Sequence, residues 1–313
     1  MKGIYLHNFA SLAERSYEEF AARLATGGVT ELRPKTHQWL SWNGAPKSGG
    51  YDSSPLGIRA LADLARVRDA FAPHGIRVTP WCVPMGLDVE AEAQMAASVA
   101  AVCGRLDFDV EPYQEFWPAI AAGDYSAVEP FFRRVRALVG DQVELTLDFP
   151  ARDSSWEWGR MRLAVQLAAS YVDRLAVQSY FGAGQAADAA GRIAAVSGLP
   201  LDQIGDVAHV AEMVPLWQAG TRALVWEAAA MTPAAYGVLA GVATRPEQPP
   251  APPPAPVVGW QEPGFAELAR QGVITGDPLG DPYPDNWGNV LQDGVQGTAI
   301  WVKRLNRNAW VPR

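Results

Sequence analysis

Between residues 1 and 244, short runs rich in β-branched and aromatic residues alternate with longer stretches rich in Ala, Leu and Arg, and the alternation repeats eight times. Strands are expected at 3–7, 28–33, 76–83, 105–111, 142–148, 173–180, 203–209 and 221–227, each followed by a helix. Eight such units in about 245 residues have the size and rhythm of a closed parallel (β/α)8 TIM barrel. A doubly wound sheet is the alternative. Such a sheet more often carries a glycine-rich turn after its first strand, where this chain reads Asn8-Phe9-Ala10-Ser11.

The barrel expectation covers residues 1–244 and stops at a compositional break. Residues 245–258 contain Pro249, Pro250, Pro252, Pro253, Pro254 and Pro256, which favour an extended linker. The remaining residues, 259–313, are expected to form a small, mainly helical module, with helices at 265–271 and 297–305 around a Gly/Pro/Asp-rich turn. Its Trp260, Trp287, Trp301 and Trp310 suit core anchors or sugar platforms. The net charge of −8, with no basic run of five residues, argues against nucleic acid as a partner. No apolar stretch approaches the roughly 18 residues of a membrane span, so no membrane insertion is expected. The opening Met1-Lys2-Gly3-Ile4-Tyr5 reads directly as a strand with no room for a signal peptide, which implies a cytoplasmic protein when made. Cys82 and Cys103 are expected as free thiols.

The fourth strand carries the most informative pattern. In Leu106-Asp107-Phe108-Asp109-Val110-Glu111 the apolar and acidic residues alternate without exception, so Leu106, Phe108 and Val110 share one face and Asp107, Asp109 and Glu111 the other. If the apolar face meets the helix ring, the acids point into the lumen. A column of buried carboxylates is a poor way to stabilise a fold, since each unpaired one costs several kcal/mol. Chemistry is the better explanation. Glu111 falls at the C-terminal strand end, where barrels place their active sites, and Asp109 one step below would raise its pKa by repulsion, as a general acid requires. A solvated edge strand with its acids facing water is the competing reading.

Asp107, Asp109 and Glu111 match the last three acids of the D-x-x-D-x-D-x-E strand of glycoside hydrolase family 18, and the chain resembles that chitinase-like family at this point. Gly104 and Arg105 stand where the family has its first Asp and Gly. The sixth strand, ending in Gln178-Ser179-Tyr180, and the eighth, Leu224-Val225-Trp226-Glu227, are similar to family strands that supply a Tyr and a Trp floor. The resemblance implies substrate-assisted hydrolysis of an N-acetylhexosamine polymer. Glu111 would protonate the glycosidic oxygen, Asp109 would orient the 2-acetamido group with support from Asp107, and Tyr180 would hold the acetamido oxygen. Gln178 would join Trp226 in binding substrate. A second scheme keeps Glu111 as acid and takes Asp148 or Glu227 as a second carboxylate, as family 25 lysozymes do, although the Asp that such enzymes carry on their first strand is missing from residues 3–7. A non-catalytic sugar-binding barrel is a third.

Seven of the eight Trp residues before the linker, Trp39, Trp42, Trp81, Trp117, Trp156, Trp158 and Trp226, fall at or beyond strand ends on the side of Glu111, while Trp217 falls on a helix. Trp39, Trp42, Trp117, Trp156 and Trp158, with Tyr113, are expected to stack against pyranose rings. Trp81 and Trp226 suit either core or subsite floor. The long loop 34–55, which holds His37, suits a wall of the groove. His7 and His37 lack any H-x-H or H-E-x-x-H companion, and neither a metal nor another cofactor is expected. Ser154 and Ser179 lack a G-x-S-x-G turn, which leaves a serine hydrolase unsupported. The C-terminal segment resembles a surface-layer-homology-like module of phage lysins. That likeness implies an endolysin whose polysaccharide partner is the bacterial cell wall, reached after release from the cell.

Overall fold

The computed structural model describes residues 1–46, 51–151, 156–180, 183–194, 197–243, 283–284, 290–294, 297–302 and 307–312. Eight parallel strands close into a barrel: Lys2–Leu6, Glu31–Gln38, a third strand in two pieces (Arg77–Val78 and Trp81–Val83), Arg105–Asp109, Glu144–Pro150, Arg174–Gln178, Leu201–Asp206 and Ala223–Trp226. The first strand pairs with the second, Ile4 opposite Leu32, and with the eighth, Ile4 opposite Val225, so the eight parallel strands close on themselves. This is the (β/α)8 barrel expected from the alternation.

The second strand differs from expectation. It runs through Pro34 to Gln38, and a short return strand, Ser41–Trp42, pairs back onto it. Pro34 sits opposite Leu6, the last residue of the first strand, where that ladder ends. The Pro is therefore tolerated at a place where the pattern had suggested a break. His37 consequently belongs to a strand and is buried, and the loop begins later than residue 34. The third strand is interrupted around Pro80, whose nitrogen has no proton to give.

The fourth strand is oriented as its alternation predicts. Phe108 meets Phe131 and Phe132 at centroid distances of 5.6 and 5.3 Å on the helix Val128–Val139, whose buried Val128, Phe131, Phe132 and Val135 recur at helical spacing. Burying each Phe contributes about 1.5–3 kcal/mol. Gly104 caps the preceding helix, Val89–Cys103, in the left-handed region at φ 70°. Position 104 thus ends a helix, and the strand starts at Arg105. At the first turn of that helix the buried Glu92 carboxylate accepts the backbone N–H groups of Met85, Gly86, Leu87 and Asp88, which fixes the loop after the third strand. At the opposite end of the barrel Lys2 donates from Nζ to the carbonyls of Leu239 (2.6 Å) and Val242 (2.9 Å), joining the first strand to the last helix, Pro233–Gly241. Cys82 and Cys103 are free.

The described C-terminal residues, taken by themselves, form a four-stranded antiparallel sheet of Tyr283–Pro284, Val290–Gly294, Gly297–Val302 and Arg307–Pro312. This corrects the helix expected at 297–305 and, with it, the mainly helical character given to the module. Thr298, Ile300 and Val302 alternate with Ala299 and Trp301, a β-branched, period-two run. The expected linker at 245–258 and helix at 265–271 lie outside the described residues.

Candidate active site

Inward side chains of the barrel stack in tiers, as period two requires. In the lowest tier Glu31 accepts from Arg33 Nε (2.9 Å), Arg222 Nη2 (3.0 Å) and Arg77 Nη2 (2.8 Å). These guanidinium groups outweigh burial and hold the Glu31 carboxyl well below its ordinary range. One tier up, Arg33 donates to Asp107 (2.7 Å), Asp202 (2.8 Å) and the Tyr5 hydroxyl (3.0 Å), while the Tyr5 hydroxyl donates to Asp107 Oδ2 (2.5 Å). Burial pushes Asp107 up, and Arg33 and Tyr5 pull it back. Arg174 completes this tier with Asp202 at 2.6 Å. Buried ions are tolerable only when paired in this way.

The third tier gathers the carboxylates nearest the mouth. Asp109 on the fourth strand lies in register with Asp148 on the fifth, and both are buried. Gln178, at the end of the sixth strand, donates from Nε2 to Asp109 Oδ1 at 3.1 Å and to Glu111 Oε1 at 3.0 Å. Because one nitrogen serves both, the Asp109 and Glu111 oxygens lie no more than about 6 Å apart. Burial, followed by the nearby charges of Glu111 and Asp148, pushes Asp109 well above the usual carboxylate range. Burial, followed by Asp107 and Glu111, does the same to Asp148.

Facing these acids is a group the sequence reading overlooked. Lys35, on the part of the second strand beyond Pro34, lies over the Trp81 ring at 5.1 Å and meets His7 Nε2 at 3.2 Å. Burial lowers its ammonium to about 8, with Asp109 pulling it back up. Burial, followed by the Lys35 charge, lowers the His7 ring to about 4. Arg33 and Lys35 thus form a cationic column on the second strand opposite the acidic column of the fourth. The only signal for it was the spacing Glu31-x-Arg33-x-Lys35, which continues across the Pro.

At the mouth Glu111 is half-buried just past its strand, and an aromatic cluster lines the same end of the barrel. Trp226 tilts against Tyr5 (5.8 Å), Trp81 (5.8 Å) and Tyr180 (6.4 Å), and these rings join Val83, Ala176, Ile204 and Leu224 in one apolar cluster. Glu227, half-buried, accepts the His7 backbone N–H, while burial raises its pKa. The structure therefore brings together Asp107, Asp109, Glu111, Asp148, Gln178, Tyr180, Trp226 and Glu227.

The outer tryptophans divide. Trp39 and Trp156 stand out at 40% and 43% exposure, and Trp156 lies 5.3 Å from the Tyr113 ring, whose hydroxyl donates to Glu157. Trp42 is half-buried against His37. Trp117 and Trp158, by contrast, are core residues and cannot bind sugar from the mouth. Trp117 is fully enclosed against Phe131 and above Gly86, where a Cβ would meet its ring at 2.4 Å. Trp158 stacks on Phe149 at 6.1 Å. Their sequence positions beyond strand ends are those of loop residues, but short helices starting there, Pro118–Ala122 and Glu157–Ala168, turn both rings inward. Among the described residues no group of three or more His, Cys, Asp or Glu is arranged to hold a metal ion.

No known family model and no curated protein matches the chain by sequence. Its fold is similar to that of a GH18 chitinase from Pseudoalteromonas aurantia, at 9% identity over 77% of this chain and 98% of that one, with a TM-score of 0.51. It is similar also to the GH113 β-mannanase of Alicyclobacillus acidocaldarius, at 12% identity over 77% of this chain and 95% of that one, with a TM-score of 0.50. At these identities the likeness is one of fold: the chain is a (β/α)8 barrel of the kind that both of these glycoside hydrolases use.

Proposed function

We propose that this chain is a glycoside hydrolase that cleaves a β-linked N-acetylhexosamine polymer, of the peptidoglycan or chitin kind, with Glu111 as its general acid. The observation that carries the reading is the single Gln178 amide nitrogen that binds both Asp109 and Glu111, two residues before Tyr180, whose ring packs against Trp226. It ties an acid at the mouth to a second carboxylate one tier below, on one side of an aromatic surface fit for a sugar ring. Glu111 protonates the glycosidic oxygen and the leaving sugar departs. The substrate's own acetamido carbonyl closes on the anomeric carbon, its N–H directed to Asp109, and water then opens the ring under Glu111 acting as base. Asp107, anchored by Arg33 and Tyr5, fixes the strand beneath, and Tyr180 borders the acetamido pocket. Trp39, Trp156 and Tyr113, on loops after the second, fifth and fourth strands, extend the binding surface along one side of the mouth. The GH18 fold likeness agrees with this scheme.

In this reading the natural target is bacterial cell wall, cut by an endolysin after its release from the cytoplasm, with the C-terminal module as a wall-binding element.

The test is to incubate wild type and Glu111→Gln with purified peptidoglycan and with chitin oligomers and to identify new reducing ends by mass spectrometry. Wild type should generate ends on N-acetylhexosamine, and the variant should lose about 100- to 10,000-fold in rate. A wild type that cuts neither substrate, or a variant that keeps full activity, overturns the reading. Equal cleavage of a substrate lacking the 2-acetamido group transfers the second role from Asp109 to a protein nucleophile, with the half-buried Glu227 as the candidate.

A further inference from the structure

Asp148 is a buried acid to which the scheme above gives no task. It lies opposite Asp109 in the strand register, its carboxyl meets the Gln178 amide, and only 4% of the residue is exposed. Neighbouring strands run about 4.8 Å apart, so two inward carboxylates in register share one small volume. Asp107 and Glu111 add their repulsion from below and above. Two such groups do not both ionise, and the pair holds a proton between them. The surroundings of each oxygen decide where it rests. Both carboxyls meet the Gln178 amide, but Asp109 alone of the two is drawn by the facing Lys35 ammonium. Asp148 Oδ1 is enclosed and has no hydrogen-bond partner among the described residues. An anionic oxygen without a donor is the costly form there, and a hydroxyl is the cheaper one.

We infer that Asp148 keeps a proton throughout turnover and acts as a positioning residue that, by staying neutral, leaves the negative charge of the pair on Asp109. No bond to Asp148 forms or breaks. Its effect is to keep Asp109 able to accept the substrate N–H and to face the positive charge that develops on the acetamido group. The consequence for catalysis rests on the glycosidase reading, whereas the location of the proton does not.

Two measurements test it. Infrared difference spectra at pH 7 should show the carbonyl stretch of a protonated carboxylic acid in the wild type that is missing from Asp148→Asn. A wild type without this band, or a variant that retains it unchanged, overturns the inference with no reference to turnover. The kinetic measurement uses the same variant, because Asn mimics the neutral acid in shape and in its ability to donate. Asp148→Asn should keep kcat within about tenfold of wild type and leave the alkaline limb of its pH profile, set by loss of the Glu111 proton, where it stands, because one neutral group replaces another. A loss beyond about tenfold, or an alkaline limb displaced downward as removal of a neighbouring negative charge would displace it, shows that the charge resides on Asp148 and overturns the assignment. Loss of turnover in the Glu111→Gln experiment bears on the reaction class alone, so the two failures are distinguishable.

Discussion

Replacing Arg33 with Met removes one guanidinium that is fully buried and bonded to Glu31, Tyr5, Asp107 and Asp202. The damage is unequal. Glu31 retains Arg222 and Arg77, and Asp202 retains Arg174 at 2.6 Å. Asp107 loses its only ion-pair partner among the described residues and keeps the Tyr5 hydroxyl. Removing one member of a buried pair costs about 3–5 kcal/mol, most of it the penalty on the charge left behind. For a barrel of this size that is a fall in Tm of roughly 6–20 °C. Urea titration should show the loss as a lower midpoint at unchanged slope. Adding Asp107→Asn to Arg33→Met should recover more than about 1 kcal/mol relative to the sum of the single variants, because it removes the stranded charge. A single-variant loss under about 1 kcal/mol, or strict additivity in the double variant, refutes the argument that the lumen is held by compensated charge.

The tryptophans separate binding from stability. Trp39→Ala and Trp156→Ala should raise KM for a polymeric substrate severalfold while leaving Tm within about 2 °C, whereas Trp117→Ala should cost about 3–5 kcal/mol in urea unfolding and serve as the contrast. His37, fully enclosed beside Thr36 and held down to about 3 by burial and by Lys35, supplies a pH dependence. Its unfolded form takes up a proton near pH 6.5 and its folded form does not, so the unfolded state binds the extra proton between about pH 3 and 6.5. Stability must then fall as pH drops through that window, by about 1.4 kcal/mol per unit from this group. Urea midpoints measured from pH 7 to pH 4 should decline less steeply for His37→Gln than for wild type, and parallel slopes would remove the group from the account.

The barrel was legible because its signal is repeated: eight alternations constrain a fold more than any one of them does. The acidic column was legible for a local reason, since period two alone sends Asp107, Asp109 and Glu111 to one side. What escaped the sequence reading was contact across the lumen. Arg33 reaches Asp107 over 74 positions of chain, and nothing near either residue announces the other. Ending the second strand at Pro34 also hid Lys35, because the Pro rule is local and the register that permits this one, at the end of the first strand, is not. Trp117 and Trp158 failed differently. A position beyond a strand end was read as exposure, yet each ring turns inward at the start of a helix. The segment Gly297–Val302 was read as helix although its β-branched alternation favoured a strand.

The Lys2 contacts with Leu239 and Val242 have a topological meaning. With the first strand laddered to the eighth and the last helix fastened to residue 2, the path of the described chain around the barrel is nearly a ring, with an interruption where residues 2 and 242 meet. A short peptide could bridge that interruption, and the chain could be reopened in a loop between two other units with the lumen tiers intact. The order in which the eight units are written along the gene is then separable from their order in space, and the acid site, assembled from the fourth, fifth and sixth strands, would survive any cut that spares the connections among them.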